Sequence, residues 1–409
     1  GQLVSHANLP GGAYVVSVLS STQFIINLLP TVAGSSATIS ATANSVTTSQ
    51  TFAGLILNPG ASSVTVTIPS NGSDGTVLNL GAITRDSGAT VNFTLPSGTQ
   101  NATNGITTET LNGNGGILGG WARVGNHWAI NSTNTTGGNI AALATYTDVN
   151  RLGGTLLSAA TANVRLVDGG ASGSVTPTSS GTTDINTLLQ SATGGTATYD
   201  PGSTDVLRLG SSGGILVASN AGALTIGAAV NDGFLTAGGA TNTAGNLYLT
   251  NNHTSNLLTV NSTVADNGTG LVGVTTSGPG ILVLTGTNTY TGRTTVGGGT
   301  LRISSEQNLG GNPLSFSAEQ LTLAGGTLNA TASFAIDDAN RGITLAAAGG
   351  VLSVNSGFTL TIANVITGSG NLTLSGAGTV ALQAANTHTG TTFANAGTLA
   401  LGHVDALQN

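Results

Sequence analysis

The sequence contains no cysteine, no methionine and no lysine. Without cysteine, the chain forms no disulfide and offers no thiolate to a metal ion. Its eight basic residues are all arginine, they are scattered along the chain, and the formal net charge is -7. A nucleic-acid-binding protein needs a basic patch or stripe, so we do not expect this chain to bind nucleic acid.

Charged and aromatic residues are scarce, at 6% and 4% of the 409 residues, whereas an ordinary globular domain is roughly a quarter charged. Disorder requires low hydrophobicity with high net charge, and this chain is 39% hydrophobic. No apolar run approaches the ~20 residues that span a bilayer, so no transmembrane segment is expected. The absence of methionine and the start at Gly1 predict a processed chain, or a piece of a longer one.

What the sequence does contain is a pattern of period two. Residues 64–68, 358–362 and 372–374 alternate apolar side chains with threonine, as half-buried strands do. Gly, Asn, Ser and Asp separate such runs and supply the turns. Convincing amphipathic helices are absent, and the best local helical candidate is residues 184–190, with two turns at most. The sequence therefore predicts an all-β chain of short strands.

Two all-β architectures suit this pattern: tandem β-sandwich domains, and a right-handed parallel β-helix, or β-solenoid. Sandwich domains need linkers and large aromatic anchors, but no linker is evident and the chain has only eight Phe and two Trp. A narrow column of Val, Leu, Ile and Ala fits a solenoid better. We therefore expect a β-solenoid over 111–409, preceded at 1–110 by early solenoid coils or a separate β domain.

An internal repeat supports the solenoid. Residues 280–304 align without gaps to residues 378–402, with ten identities and a constant offset of 98 residues. A fixed period indicates stacked copies of one supersecondary unit, here about four coils of roughly 20–25 residues each. The residues that define the motif are Asn288, Tyr290, Gly292, Gly299 and Leu301 in the first copy, and Asn386, Gly390, Gly397 and Leu399 in the second.

The first copy, GILVLTGTNTYTGRTTV followed by GTL, resembles the passenger-associated transport repeat, also called the autotransporter-associated β-strand repeat. The second copy is weaker, since His388 stands where the first has Tyr290. The resemblance implies a secreted or surface-exposed bacterial protein with a β-helical passenger. In that family the repeat is thought to help the passenger fold and cross the outer membrane.

The motif residues are expected to have structural roles. Gly292 and Gly299 are predicted at corners, where a side chain would clash or a positive φ is needed. Asn288 is expected to stack on an equivalent Asn or to hydrogen-bond its own turn. The inward-pointing residues are predicted to be Leu282, Leu284, Leu301 and Ile303.

Several groups were weighed as chemical sites. The carboxylates of Asp337 and Asp338 beside Arg341 could bind Ca²⁺ or a sugar, but a polar turn with local pairing of Arg341 is favoured. Trp121 and Trp128 could stack on a sugar, but core packing is favoured. The five His residues lie too far apart in sequence for a local metal motif, and each is expected at the surface. The sequence thus predicts no catalytic residue, no metal site and no cofactor.

Two functions remain open. The favoured one is a structural extracellular segment, a stalk, fibre or matrix element that associates head to tail with copies of itself. The alternative is an adhesin, or a β-helix that binds or cleaves glycans at a cell surface. An enzyme is not expected, because a glycosidase needs paired carboxylates in one cleft and the chain has few.

Overall fold

The computed structural model describes residues 48–67 and 75–407, together with four strands between residues 15 and 40. The chain divides into two compact units, Gly1–Ala144 and Thr145–Asn409. Within the described part there is no α-helix. Two 3₁₀ helices are present, at Asn114–Gly116 and Glu306–Leu309. In the same part of the chain, no helix is both long and apolar enough to cross a membrane.

The first unit contains fourteen strands among the described residues. They are β1 (Val15–Ser20), β2 (Gln23–Ile26), β3 (Thr31–Val32), β4 (Ser36–Ser40), β5 (Thr48–Thr51), β6 (Gly54–Leu57), β7 (Gly60–Thr67), β8 (Thr76–Asn79), β9 (Ala82–Arg85), β10 (Ala89–Thr94), β11 (Gly105–Thr108), β12 (Ala122–Val124), β13 (His127–Asn131) and β14 (Gly138–Ala142).

The second unit contains the remaining strands. They are β15 (Thr147–Asn150), β16 (Thr155–Leu156), β17 (Ala159–Val167), β18 (Gly173–Pro177), β19 (Thr182–Gln190), β20 (Ala197–Tyr199), β21 (Val206–Leu209), β22 (Gly214–Val217), β23 (Leu224–Ile226), β24 (Phe234–Ala237), β25 (Gly245–Asn251), β26 (Leu258–Val260), β27 (Thr263–Val264), β28 (Val272–Ser277), β29 (Ile281–Leu284), β30 (Thr294–Val296), β31 (Thr300–Ile303), β32 (Ser317–Leu323), β33 (Thr327–Ala330), β34 (Phe334–Ile336), β35 (Arg341–Leu345), β36 (Gly350–Val354), β37 (Thr359–Ile362), β38 (Ile366–Gly368), β39 (Leu372–Ser375), β40 (Thr379–Leu382), β41 (Thr392–Ala394) and β42 (Thr398–Leu401).

The first unit is built mainly from parallel ladders. Strands β4, β7, β10 and β12 pair in parallel, as do β5, β8 and β11, and β3, β6 and β9. Antiparallel pairs join β12 to β13, β13 to β14 and β11 to β14. Trp121 and Trp128 lie in this antiparallel region with 5% and 0% of their surface exposed, which confirms that they pack in the core.

In the second unit, every ladder between these strands is parallel. Sandwich domains would need antiparallel sheets, so that alternative is wrong here. Successive strands visit three stacks of strands in turn, as β32, β33 and β34 do before β35 returns to the first stack. The predicted all-β parallel β-helix is therefore confirmed.

We name the three faces of the β-helix by their strands. The first face includes β28, β30, β32, β35 and β38, and the second face includes β29, β31, β33, β36, β39 and β41. The third face includes β34, β37, β40 and β42. In the earlier turns, strands β21, β24 and β27 follow a second-face strand in the chain and precede the next first-face strand, which is the position that third-face strands have in the later turns.

A ladder of leucines fills the interior behind the second face. Leu258 pairs with Leu282, Leu282 with Leu301, Leu301 with Leu328, and Leu328 with Leu352. None of these side chains is more than 2% exposed. Complete burial of one leucine stabilises the fold by about 1.5–3 kcal/mol. Because each turn adds one buried leucine to this ladder, each turn also adds its own stabilising burial of apolar surface.

The alternation that predicted strands is present in the structure. Burial alternates along β7, and in β37 and β39 the leucines and Ile362 are buried while the threonines are half-buried. Convincing helices were not expected, and residues 184–190, the best local candidate for one, belong to β19. That strand pairs with β17 on one side and with β21 and β22 on the other. Its ladder bonds and buried side chains outweigh a weak local helical preference.

The boundary after residue 110, drawn from the sequence, stays a prediction. The two compact units of the fold divide between Ala144 and Thr145. The repeats that motivated the solenoid assignment both lie in the second unit.

Candidate functional site

The two repeats form the most distinctive site of the second unit. Each contains a corner, which we define as residues 288–292 (the first corner) and 386–390 (the second corner). Each corner follows an inward-facing strand, β29 or β40, and precedes a short strand, β30 or β41.

Asn288 connects three successive turns at the first corner. Its Oδ1 accepts a hydrogen bond from the backbone N–H of Val264 at 2.7 Å, and its Nδ2 donates to the carbonyl of Asn308 at 2.6 Å. The side chain is only 3% exposed. Asn288 therefore bridges the preceding and following turns in place of the expected bond within its own turn, and the expected stack on another Asn stays a prediction.

Asn386 repeats this arrangement at the second corner. Its Oδ1 accepts from the backbone N–H of Ile366 at 2.9 Å, and its Nδ2 donates to the carbonyl of Ala406 at 2.6 Å. Both bonds satisfy backbone groups that would otherwise be buried without a partner, a condition that proteins avoid. The same bridge in both copies explains why the repeat needs asparagine at this position.

A buried ring lies two residues beyond each asparagine. The hydroxyl of Tyr290 lies 2.7 Å from Oγ1 of Thr294, and Nε2 of His388 lies 2.9 Å from Oγ1 of Thr392. Both rings are completely buried. Burial raises the pKa of Tyr290 to about 12 and lowers the pKa of His388, although the Ile366 backbone opposes the second shift.

The surface position expected for every histidine is wrong for His388, which replaces Tyr290 in the core of the corner. Its alignment with Tyr290 was the signal for burial. His127 and His253 are half-buried, and His403 is exposed. His6 lies outside the described residues.

The glycines of the motif allow adjacent turns to approach closely. A Cβ atom on Gly292 would lie 2.3 Å from the carbonyl oxygen of Val272, and one on Gly390 would lie 2.2 Å from that of Gly370. Gly299 and Gly397 have φ angles of 60° and 74°, which L-residues with a side chain rarely adopt. A Cβ on Gly299 or Gly397 would also lie 2.3 Å or 2.4 Å from a carbonyl oxygen of the preceding turn, so space requires both glycines of each copy and backbone conformation requires the second.

A first prediction concerns this close approach. Gly292→Ala should lower the free energy of unfolding by about 1–3 kcal/mol, because the added methyl group forces backbone atoms of two turns apart. The control is Gly311→Ala, where the nearest atom to the new Cβ would be 3.5 Å away. Denaturant unfolding should show a large loss for Gly292→Ala only. Equal losses for the two variants would contradict the steric account.

The apolar residues of the first repeat are buried. Leu282, Leu284, Leu301 and Ile303 are all 2% exposed or less, in agreement with the inward orientation expected from the sequence. In the second repeat Leu382 is fully buried, whereas Leu399 is half-buried.

The two repeats occupy different faces of the β-helix. In the first, β29 and β31 lie on the second face, whereas their counterparts β40 and β42 lie on the third. Likewise β30 lies on the first face and its counterpart β41 on the second. The offset of 98 residues therefore corresponds to four turns plus one further face. Successive corners are rotated around the axis by one face.

Arg341 forms a buried ion pair that the sequence did not indicate. Residues 337–340 form the expected polar turn between β34 and β35. The expected local pairing of Arg341 is wrong, because its Nε donates to Oε1 of Glu306 at 2.9 Å. The guanidinium also donates to the carbonyls of Leu309, Gly310 and Gly311. Arg341 thus holds the 3₁₀ helix Glu306–Leu309 against the next turn.

Burial dominates the electrostatics of this pair. Arg341 is 0% exposed, and the side chain of Glu306 is 15% exposed. Burial raises the pKa of Glu306, and the neighbouring Arg341 opposes that rise. Among the residues described, no group of three or more His, Asp or Glu is placed to hold a metal ion. The contacts of Arg341 with Glu306 and residues 309–311 therefore hold one turn of the β-helix against the next.

Comparison with known proteins bears directly on the two corners. The passenger-associated-transport-repeat family matches residues 274–303 and 372–401, which contain both corners. The chain is similar to the adhesin BmaC autotransporter of Brucella suis biovar 1 (strain 1330), with 39% identity over 124 residues. That alignment covers 30% of this chain but 3% of the adhesin. No solved structure matches the chain. The chain therefore contains two passenger-associated transport repeats within a parallel β-helix, and these repeats place it among secreted or cell-surface proteins.

Proposed function

We propose that the chain is a structural segment of a surface passenger, a rigid stalk or fibre element rather than an enzyme. The observation that carries this proposal is the pair of asparagine bridges, which tie consecutive turns at corners on two different faces. Each bridge adds side-chain hydrogen bonds to the parallel ladders that already join the same turns. Both sets of bonds restrict bending between successive turns.

The parallel ladders give the segment a defined length. The sheet of the second face contains eleven strands, and adjacent strands lie about 4.8 Å apart, so this sheet extends for about 48 Å. Backbone hydrogen bonds run along the axis of a solenoid, and each added turn extends it by a constant amount. The length of such a segment is therefore set by its number of turns, as a spacer requires.

Rigidity can be measured by distances between spin labels. Ser174 and Ser375 belong to one outward-facing ladder and are separated by eight strand spacings, about 38 Å. The chain has no cysteine, so Ser174→Cys and Ser375→Cys introduce the only two thiols, and the single variants serve as controls. We expect a narrow distance distribution near this value. A broad distribution would contradict the stalk.

Adhesion is the second candidate, because the similar protein from Brucella suis is itself named an adhesin. Surface glycans are the proposed partner class. A glycan array probed with the whole chain separates the two functions. Saturable binding to one glycan family would favour the adhesin, and no binding would favour the stalk.

We also propose end-to-end self-association. The terminal strands of a solenoid present backbone N–H and C=O groups that can pair with a further strand. Sedimentation of the chain over a range of concentrations should then show a mass that rises with concentration. A constant monomer mass would rule out association between copies.

A further inference from the structure

The turn between β17 and β18 contains an aspartate in an uncommon backbone conformation. Asp168 has a φ angle of 78°, in the left-handed region that a residue with a side chain enters only at a cost in strain. Asp168 and the two glycines that follow it, Gly169 and Gly170, are all exposed to solvent. Water therefore reaches a strained aspartyl–glycyl sequence on the surface of the second unit.

The side chain of Asp168 lies against the main-chain nitrogen of Gly169. Its Oδ1 accepts a hydrogen bond from the N–H of Gly169 at 2.8 Å, and its Oδ2 accepts one from Nδ2 of Asn150 at 3.1 Å. The first bond brings the carboxyl carbon Cγ close to the amide nitrogen of the next residue. Because reacting groups that are held close together react faster, this geometry favours attack of the nitrogen on Cγ. Glycine also leaves the nitrogen unhindered, since it has no side chain.

We propose that Asp168–Gly169 is a site of spontaneous isoaspartate formation. The Gly169 nitrogen loses its proton and bonds to Cγ of the protonated carboxyl, one carboxyl oxygen leaves as water, and a five-membered succinimide ring forms. Water then opens the ring. Opening at Cγ restores aspartate, whereas opening at the main-chain carbonyl of Asp168 gives isoaspartate, in which the main chain runs through Cβ and Cγ. One water is lost and one is gained, so mass and oxidation state are unchanged.

Isoaspartate detaches this turn from its neighbours. Gly170 forms a parallel bridge with Gly194 of the next turn. Its N–H donates to the carbonyl of Thr193 at 3.2 Å, and its carbonyl accepts from the N–H of Gly195 at 2.7 Å. The modification adds one carbon to the main chain just before this bridge, and it moves the free carboxylate to Cα, away from Asn150. Contacts with the preceding and the following turn are therefore lost at this point of the β-helix.

A second aspartyl–glycyl sequence in the same unit provides a matched comparison. Oδ2 of Asp232 accepts a hydrogen bond from the backbone N–H of Ala228 at 2.9 Å, which holds this carboxyl toward the preceding residues. Gly233 is buried, and a Cβ there would lie 2.5 Å from the carbonyl oxygen of Gly202. The main chain at Gly233 thus has little room to rearrange into a ring. The fold favours the reaction at Asp168 and opposes it at Asp232.

Peptide mapping of the whole chain after prolonged incubation at mildly acidic pH tests the proposal. Electron-transfer fragmentation distinguishes isoaspartate from aspartate of the same mass and locates each product. We expect the ratio of isoaspartate at residue 168 to that at residue 232 to be about tenfold or more higher in the folded chain than in the chain unfolded by urea. A ratio that is equal or lower in the folded chain would overturn the proposal.

The variant Gly169→Ala gives a second test. Its Cβ would meet Oγ1 of Thr193 at 3.2 Å and the carbonyl oxygen of Thr193 at 3.8 Å, so a small movement of one hydroxyl accommodates it. The methyl group hinders the attacking nitrogen, and isoaspartate at residue 168 should fall on the order of tenfold.

Amide hydrogen exchange of the incubated proteins measures the detachment. The amides of Gly170 and Gly195 should lose protection in the wild type in proportion to its isoaspartate content, and incubated Gly169→Ala should keep that protection. Undiminished isoaspartate in Gly169→Ala would contradict the attack by this nitrogen. Full protection in the modified wild type would contradict the loss of contact between turns.

Discussion

Replacement of Arg341 by alanine should lower the free energy of unfolding of the second unit by about 3–5 kcal/mol, the usual effect of removing one partner of a buried ion pair. The variant leaves Glu306 largely buried without its cation and removes the donor from three backbone carbonyls. Chemical denaturation followed by circular dichroism measures the loss. It is among the largest expected from any single substitution in the chain.

The chain supplies a matched control for this variant. Arg293 pairs with Glu319 on the surface, where the two side chains are 50% and 51% exposed. Exposed pairs contribute about 0–1 kcal/mol, so Arg293→Ala should change stability little. If Arg341→Ala were as mild as Arg293→Ala, Arg341 would not hold the turns together.

Replacement of Asn288 by alanine should destabilise the second unit by about 3 kcal/mol. The backbone N–H of Val264 and the carbonyl of Asn308 both lose their bond to this side chain, and each buried group left without a partner costs about 1–3 kcal/mol. Asn386→Ala should have an effect of the same kind, because Asn386 makes the equivalent bonds. Denaturant unfolding of each variant gives the comparison.

The exposed Asn395 provides the control for the asparagine bridges. Asn395→Ala should leave stability within about 0.5 kcal/mol of the wild type, as surface substitutions usually do. A further variant, Asn288→Asp, keeps the acceptor for Val264 but places a carboxylate oxygen against the carbonyl of Asn308 in a buried site. It should therefore destabilise the second unit at least as much as Asn288→Ala. The bridging role would be contradicted if Asn288→Ala behaved like Asn395→Ala.

Much of the fold could be predicted from the sequence, because alternating side chains and a repeat of fixed length are local or periodic signals. The strands of residues 64–67 and 359–362 followed from alternation alone. The roles of Gly292 and Gly299 followed from the general reasons for glycine at a corner, and the structure shows that close approach applies to both and a positive φ to Gly299. Residues 184–190, the best local candidate for a helix, form a strand because pairing with strands distant in sequence decides their conformation.

The cross-turn contacts could not be predicted, because they depend on which residues become neighbours after coiling. Asn288 contacts groups 24 residues before it and 20 residues after it, and Arg341 reaches back 35 residues to Glu306. These separations vary with the length of each turn. The shift of the second repeat to the next face has the same origin, since 98 residues exceed four turns by one face. Only the burial of His388 had a sequence signal, namely its alignment with Tyr290.

The central claim, a continuous column of parallel turns that includes both repeats, is tested most directly by crosslinking across the last turns. Thr379 and Thr398 are register partners in β40 and β42, so Thr379→Cys with Thr398→Cys should be joined efficiently by a short thiol–thiol crosslinker. An antiparallel arrangement of the same strands would instead bring residue 379 opposite Leu401. The account predicts that the Thr379→Cys, Thr398→Cys protein loses both free thiols and that the Thr379→Cys, Leu401→Cys protein keeps them. The reverse result would contradict the β-helix.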